Sequence, residues 1–171
     1  EAGGFVRTQA SEPRPNLQFI FLPAADTKVN YDHKGFAPSG RRYMILPILL
    51  YPKSRGEITL RSADPAQAPA IDPRYFSDDD DMRVLLDGTR MAQRIGQSKL
   101  LARCRGKSLS VLHDSGDEAA MRADIRQRSS TVFHPIGTCK MGHDSLAVVD
   151  SALRVRGGEG LRVVDAAIMP E

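Results

Sequence analysis

Four consecutive aspartates, Asp78 to Asp81, stand directly before Met82, Leu85, Thr89, Ala92 and Ile95. That three-and-four spacing predicts an amphipathic helix over residues 78–97, with the Asp run as its start. Carboxylates complement the positive end of a helix dipole, and Arg83 with Asp87 adds a lateral pair four residues apart. A calcium loop is the functional competitor, but its ligands alternate with spacers and include a glycine. One helix with one apolar face needs something to cover.

Upstream, Leu17–Leu22 is a short run of β-formers ended by Pro23. Arg42–Tyr51 and Gly56–Ser62 flank Pro-Lys-Ser-Arg, and the second run alternates, which predicts a hairpin with one face inward. Residues 1–15 carry Gly and Pro and read as an incoming linker; 24–40 reads as a long loop, and 64–73, rich in proline, as an irregular connection. Ser115 followed by Glu118 predicts a capping box and a second helix over 117–128. Glu118 with Arg122, and Asp124 with Arg128, are spaced to pair along it. Val148–Val155 and Leu161–Ala167 then read as β-like runs separated by Arg-Gly-Gly-Glu-Gly. The fold class is α+β: an antiparallel sheet from strands near 17–22, 42–51 and 56–62, covered by the helices.

Bulk properties narrow the function. The 171 residues are 41% hydrophobic and 26% charged, ordinary globular values, with a net charge of only +3. Basic residues are interleaved with acidic ones and tryptophan is absent, so no nucleic-acid partner is expected. Cys104 and Cys139 are too few for a disulfide framework, which suits a cytoplasmic location. The apolar stretch Tyr43–Tyr51 is interrupted by Pro47 and too short to cross a bilayer. A start at Glu-Ala-Gly-Gly without a methionine marks the chain as an excised piece of a longer one.

Chemistry concentrates in Thr131-Val-Phe-His-Pro-Ile-Gly-Thr-Cys-Lys-Met-Gly142. His134 could be a general base, a metal ligand or a structural hydrogen-bonder. His134, Cys139 and His143 would need a fourth zinc ligand from Cys104, Asp144 or His113, and the spacing does not favour a metal site. Cys139 as a nucleophile lacks any local feature that would make it a thiolate. Gly157, Gly158 and Gly160 precede a strand-like run instead of a helix, so a hairpin turn is the better account than a phosphate cradle.

Phe-His-Pro-Ile-Gly-Thr-Cys-Lys-Met-Gly (133–142) and Val-Val-Asp-Ser-Ala-Leu-Arg-Val-Arg-Gly-Gly-Glu-Gly-Leu-Arg-Val-Val-Asp-Ala-Ala-Ile-Met-Pro (148–170) resemble the carboxy-terminal signature of the glucose-methanol-choline (GMC) flavoprotein oxidoreductases. Glu-Ala-Gly-Gly-Phe-Val-Arg (1–7), Pro-Lys-Ser-Arg-Gly-Glu-Ile-Thr-Leu (52–60) and Ile-Asp-Pro-Arg-Tyr-Phe-Ser-Asp (71–78) are similar to substrate-domain landmarks of its choline-dehydrogenase-like branch. The resemblance implies FAD-dependent oxidation of an alcohol to a carbonyl compound, with hydride passing to flavin N5. His134 matches the family's active-site histidine, and Asp165 and Ala166 match a segment whose backbone lies along the FAD. No metal is implied.

The resemblance also divides the chain: 16–144 as the substrate-binding domain, and 145–171 as a strand segment that returns to the FAD domain. The Gly-rich dinucleotide-binding segment has no counterpart here, and the second active-site residue, an Asn or His, would lie beyond Glu171. Ser151 stands where the family usually has Pro. The fragment alone is therefore expected to be inactive. Its partners would be an alcohol substrate, choline among the candidates, and the rest of its own FAD domain. Assembly with a second copy and membrane association of the parent stay open. The competing account is a non-catalytic binding or scaffold module, with the 24–40 loop as contact surface and His134 structural.

Overall fold

A computed structural model of the chain describes residues 2–25, 41–106 and 116–170. The body of the 24–40 loop, His33, His113 and the expected Ser115 cap lie outside the described residues. The chain divides into two compact units, residues 1–54 with 75–129, and residues 55–74 with 130–171.

The first unit holds strands β1 (Ala2–Val6), β2 (Leu17–Ala25) and β3 (Arg41–Leu49) and helices α1 (Asp79–Gly96) and α2 (Glu118–Arg128). The strands form an antiparallel sheet in the order β1-β2-β3, with Gly4 opposite Phe19 and Leu17 opposite Leu49. The stretch read as a linker over 1–15 thus contains an edge strand. Asn16 explains it: its side-chain oxygen accepts from Thr8 N at 2.9 Å and its side-chain nitrogen donates to Thr8 Oγ1 at 2.9 Å. Its own N–H donates to Val6 O and its carbonyl accepts from Leu50 N. One buried asparagine ties the start of the chain to β3, and β1 follows from that connection.

The expected hairpin between 42–51 and 56–62 does not form. β3 pairs with β2 along its whole length, and the second run pairs elsewhere. It contributes only β4 (Glu57–Thr59), which pairs with β5 (Ala70–Asp72), inside the stretch read as irregular.

Helix α1 begins as expected: Asp78 is the cap, its carboxylate accepting from Asp80 N at 2.9 Å. It buries two faces instead of one. Val84 packs with Leu17 and Phe19 of the sheet, whereas Met82 and Leu86 pack with Met121 and Ile125 of α2. Gly88 lies tight against the sheet, where a Cβ would come within 2.7 Å of Leu17 Cδ2. Only a glycine lets the helix axis sit that low. Helix α2 is capped by Asp117 in place of Ser115, its carboxylate accepting from Ala119 N and Ala120 N. An aspartate one residue before the helix makes the same bonds as the expected serine, with a full charge at the dipole. Glu118–Arg122 and Asp124–Arg128 pair along α2 at 2.9 and 2.6 Å.

Among the described residues no helix is long and apolar enough to cross a membrane.

Candidate active site

The second unit is built from turns. Val149 is fully buried, with Ala147 beside it in the chain nearly so. Val149 bridges Met141 in the parallel sense and Val155 in the antiparallel sense, and Arg154 bridges Arg162. The segment 145–171, read as strand, therefore holds isolated bridges and one 3₁₀ turn over Ala166–Ile168. Turn chemistry interrupts it: the Asp150 carboxylate accepts from Ala152 N at 2.8 Å and Arg154 N at 3.0 Å, around Leu153 at φ +64°. Gly157 at φ +79° and Gly160 at φ +74° complete the hairpin, closed by Val155 N donating to Leu161 O at 3.0 Å.

Against this scaffold the histidine loop is laced to the chain's last segment. Cys139 N donates to Ala167 O at 2.9 Å and Met141 N to Ile168 O at 2.8 Å. Gly137, at φ +83°, lets the loop turn toward Met169. The loops that carry His134 on one side and Asp165 with Ala166 on the other thus belong to one hydrogen-bonded structure. Sequence reasoning named these residues from separate motifs, and the backbone brings the motifs together.

His134 is exposed, with no hydrogen bond to another described residue, and it follows Phe133, whose backbone is left-handed at φ +63°. Phe133 N donates to Thr131 Oγ1 at 3.0 Å. Asp165 turns its carboxylate inward, accepting from Ala167 N at 2.7 Å, which fixes the 3₁₀ turn and leaves the small Ala166 exposed. Cys139 is half-buried and forms no disulfide with Cys104. Among the described residues no three of His, Cys, Asp and Glu are grouped to hold a metal ion.

Sequence reasoning missed Arg156. Its guanidinium donates to the carbonyls of Gly142 and of Asp144, the latter at 3.3 Å, and its N–H donates to Val148 O. It clamps the end of the histidine loop. Nothing in the motif marks it apart from its neighbours Arg154 and Arg162. Lys140 beside Asp144 holds that carboxyl below its ordinary range, and the backbone N–H and side chain of Arg154 do the same for Asp150.

Asp165 and Ala166 are the described residues that the family resemblance sets against an FAD. Both residues are exposed, Ala166 with only a methyl side chain, and their carbonyls accept from Ile168 N at 3.3 Å and Met169 N at 3.1 Å within the turn. Both α-helices, in contrast, start with acidic residues, Asp79 to Asp81 and Glu118, so neither start suits a pyrophosphate.

A family model described as GMC oxidoreductase matches residues 52–171. An uncharacterised GMC-type oxidoreductase of Mycobacterium tuberculosis is 43% identical over 99% of this chain and 32% of its own length. An alcohol dehydrogenase (acceptor) of Pseudomonas putida is 41% identical, covering 99% of this chain and 30% of the relative. An oxygen-dependent choline dehydrogenase of Ectopseudomonas mendocina is 42% identical over 100% of this chain and 30% of its own. Among solved structures, pyridoxine 4-oxidase from Mesorbium loti superposes with a TM-score of 0.72 at 26% identity, covering 98% of this chain and 33% of that one. Formate oxidase of Aspergillus oryzae, solved to follow the modification of its FAD, gives 0.80 at 28% identity over 92% and 28%. The chain spans about a third of the length of the curated relatives it matches. With a family model covering most of its length, this chain belongs to the GMC oxidoreductases and carries their carboxy-terminal portion.

Proposed function

We propose that this chain is the carboxy-terminal portion of an FAD-dependent alcohol dehydrogenase or oxidase, and that His134 takes the hydroxyl proton of the substrate. Oxidising an alcohol needs that proton removed as the carbon gives up hydride, and a neutral imidazole is suited to accept it near neutral pH. The observation that carries this reading is the lacing of the exposed His134 loop onto Asp165–Met169 by the Cys139 and Met141 amides. A structural histidine would be expected to spend its nitrogens on neighbours, and His134 has none among the described residues.

Bound FAD supplies the hydride acceptor. This chain's part is to orient the alcohol at His134, hold its proton there, and offer Asp165 and Ala166 as one edge of the cofactor site. Val132, Ile136, Leu161, Val164 and Met169 leave between 43% and 71% of their surface exposed. That apolar surface suits packing against the rest of an FAD domain, to which residues 145–171 return. The portion 16–144 serves as the substrate side, and the portion alone is inactive because most of the cofactor site lies elsewhere. The named activities of relatives make choline one candidate among small alcohols.

The test uses the full-length flavoprotein. Alcohols including choline are added anaerobically and flavin bleaching is followed, then repeated with His134→Ala. Bleaching slowed by orders of magnitude in the variant supports the reading. A parent without flavin, or one reduced equally fast without His134, overturns it.

A further inference from the structure

Four non-glycine residues among those described have a left-handed backbone: Arg74, Phe76, Phe133 and Leu153. Three of them have visible support. Asp72 holds Arg74 through its N–H and guanidinium, Phe76 packs against the α1–α2 core, and Leu153 sits in the turn made by Asp150. Phe133 has no such packing, since 72% of its surface is exposed. A bulky L-residue in this region suffers a clash between Cβ and the following carbonyl, and within this chain no packing of the Phe133 ring offsets it.

The support at Phe133 is confined to the backbone. Thr131 Oγ1 accepts from its N–H at 3.0 Å, and Pro135, two residues on, disfavours helical geometry at His134. These two restraints bracket the backbone from which the His134 side chain leaves. Strain kept in an exposed residue beside a reactive group points to a constraint on that group.

We infer that Phe133 is a positioning residue: its left-handed backbone, held by the Thr131 hydroxyl, sets the direction in which the His134 imidazole leaves the loop. The inference rests on the reading of His134 as the proton acceptor. Its benefit is orientation, because a small misplacement of a base at the reacting atom costs large factors in rate.

The test is flavin reduction by a saturating alcohol in the full-length flavoprotein, with Phe133→Asn, Phe133→Gly, Phe133→Val and Thr131→Val. Asn and Gly accept the left-handed conformation, whereas Val does not. The expected result is a reduction rate within about threefold of wild type for Asn and Gly and a loss of roughly 10- to 100-fold for Val, with alcohol affinity little changed and a flattened pH profile. Equal losses in Asn, Gly and Val would assign the effect to the ring and overturn the inference; so would full activity in all three. If Phe133→Val does not fold, Thr131→Val decides: slower reduction at unchanged affinity supports the backbone role, and an unchanged rate overturns it. His134→Ala, measured in parallel, separates the two ideas. A normal rate there removes the function assigned to His134, whereas a collapsed rate beside an unaffected Phe133→Val removes only the positioning role.

Discussion

Cys139 donates its backbone N–H to the carbonyl of Ala167 at 2.9 Å, which ties the histidine loop to the Asp165 turn. Asp165 is the residue that shapes the turn, through its carboxylate on Ala167 N at 2.7 Å. Asp165→Ala should release that amide to water at a cost of about 1 kcal/mol, the usual value of a lost cap. If the exposed Asp165–Ala166 turn is an edge of the cofactor site, flavin in the full-length protein should bind roughly fivefold more weakly. Asp165→Asn keeps an acceptor and should bind nearly as wild type. Flavin titration of the refolded apoprotein reads both, and equal affinity in all three would detach this turn from the cofactor.

Gly88 sets two effects against each other. Alanine in a helix interior is favoured over glycine by about 1 kcal/mol. Its methyl would arrive 2.7 Å from Leu17 Cδ2 and 3.1 Å from Pro47 Cβ, in a place where Leu17 is fully buried and cannot swing away. Overpacking of this kind costs typically 1–3 kcal/mol, so the clash should win. Gly88→Ala is expected to lower the urea midpoint, and a rise would mean that α1 can lift off the sheet freely.

Asp81 has left the solvent that its neighbours in the Asp run keep. Only 3% of it is exposed, and its two oxygens accept from Lys53 N at 2.7 Å and Ser54 N at 3.0 Å. Asp81→Ala would orphan both amides, for a loss of about 2–4 kcal/mol by denaturant unfolding. Asp79→Ala, at the exposed start of the same helix, should cost under about 1 kcal/mol. Similar losses at both positions would contradict the distinction.

These contrasts show which information the sequence carries. The α1 spacing is local and strong, and the helix stands where Met82, Leu85 and the Asp run place it. Pairing is not local: the apolar run of β3 reads the same whichever neighbour it takes, and Asn16, a single polar residue in a Gly- and Pro-rich stretch, gives little sign that it will tie the turn after β1 to the sheet. For the site, the motif at 133–142 named His134, and the match at 165–166 named the facing segment. Their lacing is made by backbone groups of Cys139, Met141, Ala167 and Ile168, which carry no side-chain signature. Phe133 looked like an ordinary apolar residue because a left-handed backbone is not written in a phenylalanine.

Asp80 joins α1 to the segment at Lys53 and should set how the first unit responds to pH. Arg83 Nε donates to it at 2.6 Å and Lys53 Nζ pairs with it at 2.7 Å. Chiefly the Arg83 hydrogen bond, then that from Lys53, holds the Asp80 carboxyl below its ordinary value of 3.8. A carboxyl depressed by folding contributes stability that is fully present above the unfolded value and is lost as pH falls through the folded one. The same contact raises Lys53 above 10.5, so its contribution is present below that value and lost as pH rises through the folded one. Between the two the contribution of this pair is flat. Glu118, lowered from 4.5 by Arg90 and then Arg122, adds to the acid side, but it is open to solvent and salt should screen it. Asp80→Asn should therefore flatten the loss of stability below about pH 4, and a 1 M salt series should weaken the Glu118 part more than the Asp80 part. Urea midpoints from pH 2 to 7 measure the slope. An acid limb unchanged by Asp80→Asn would place the pH sensitivity in other carboxylates, and the ion pairs around Arg83 would then stabilise the fold no more than ordinary surface pairs do.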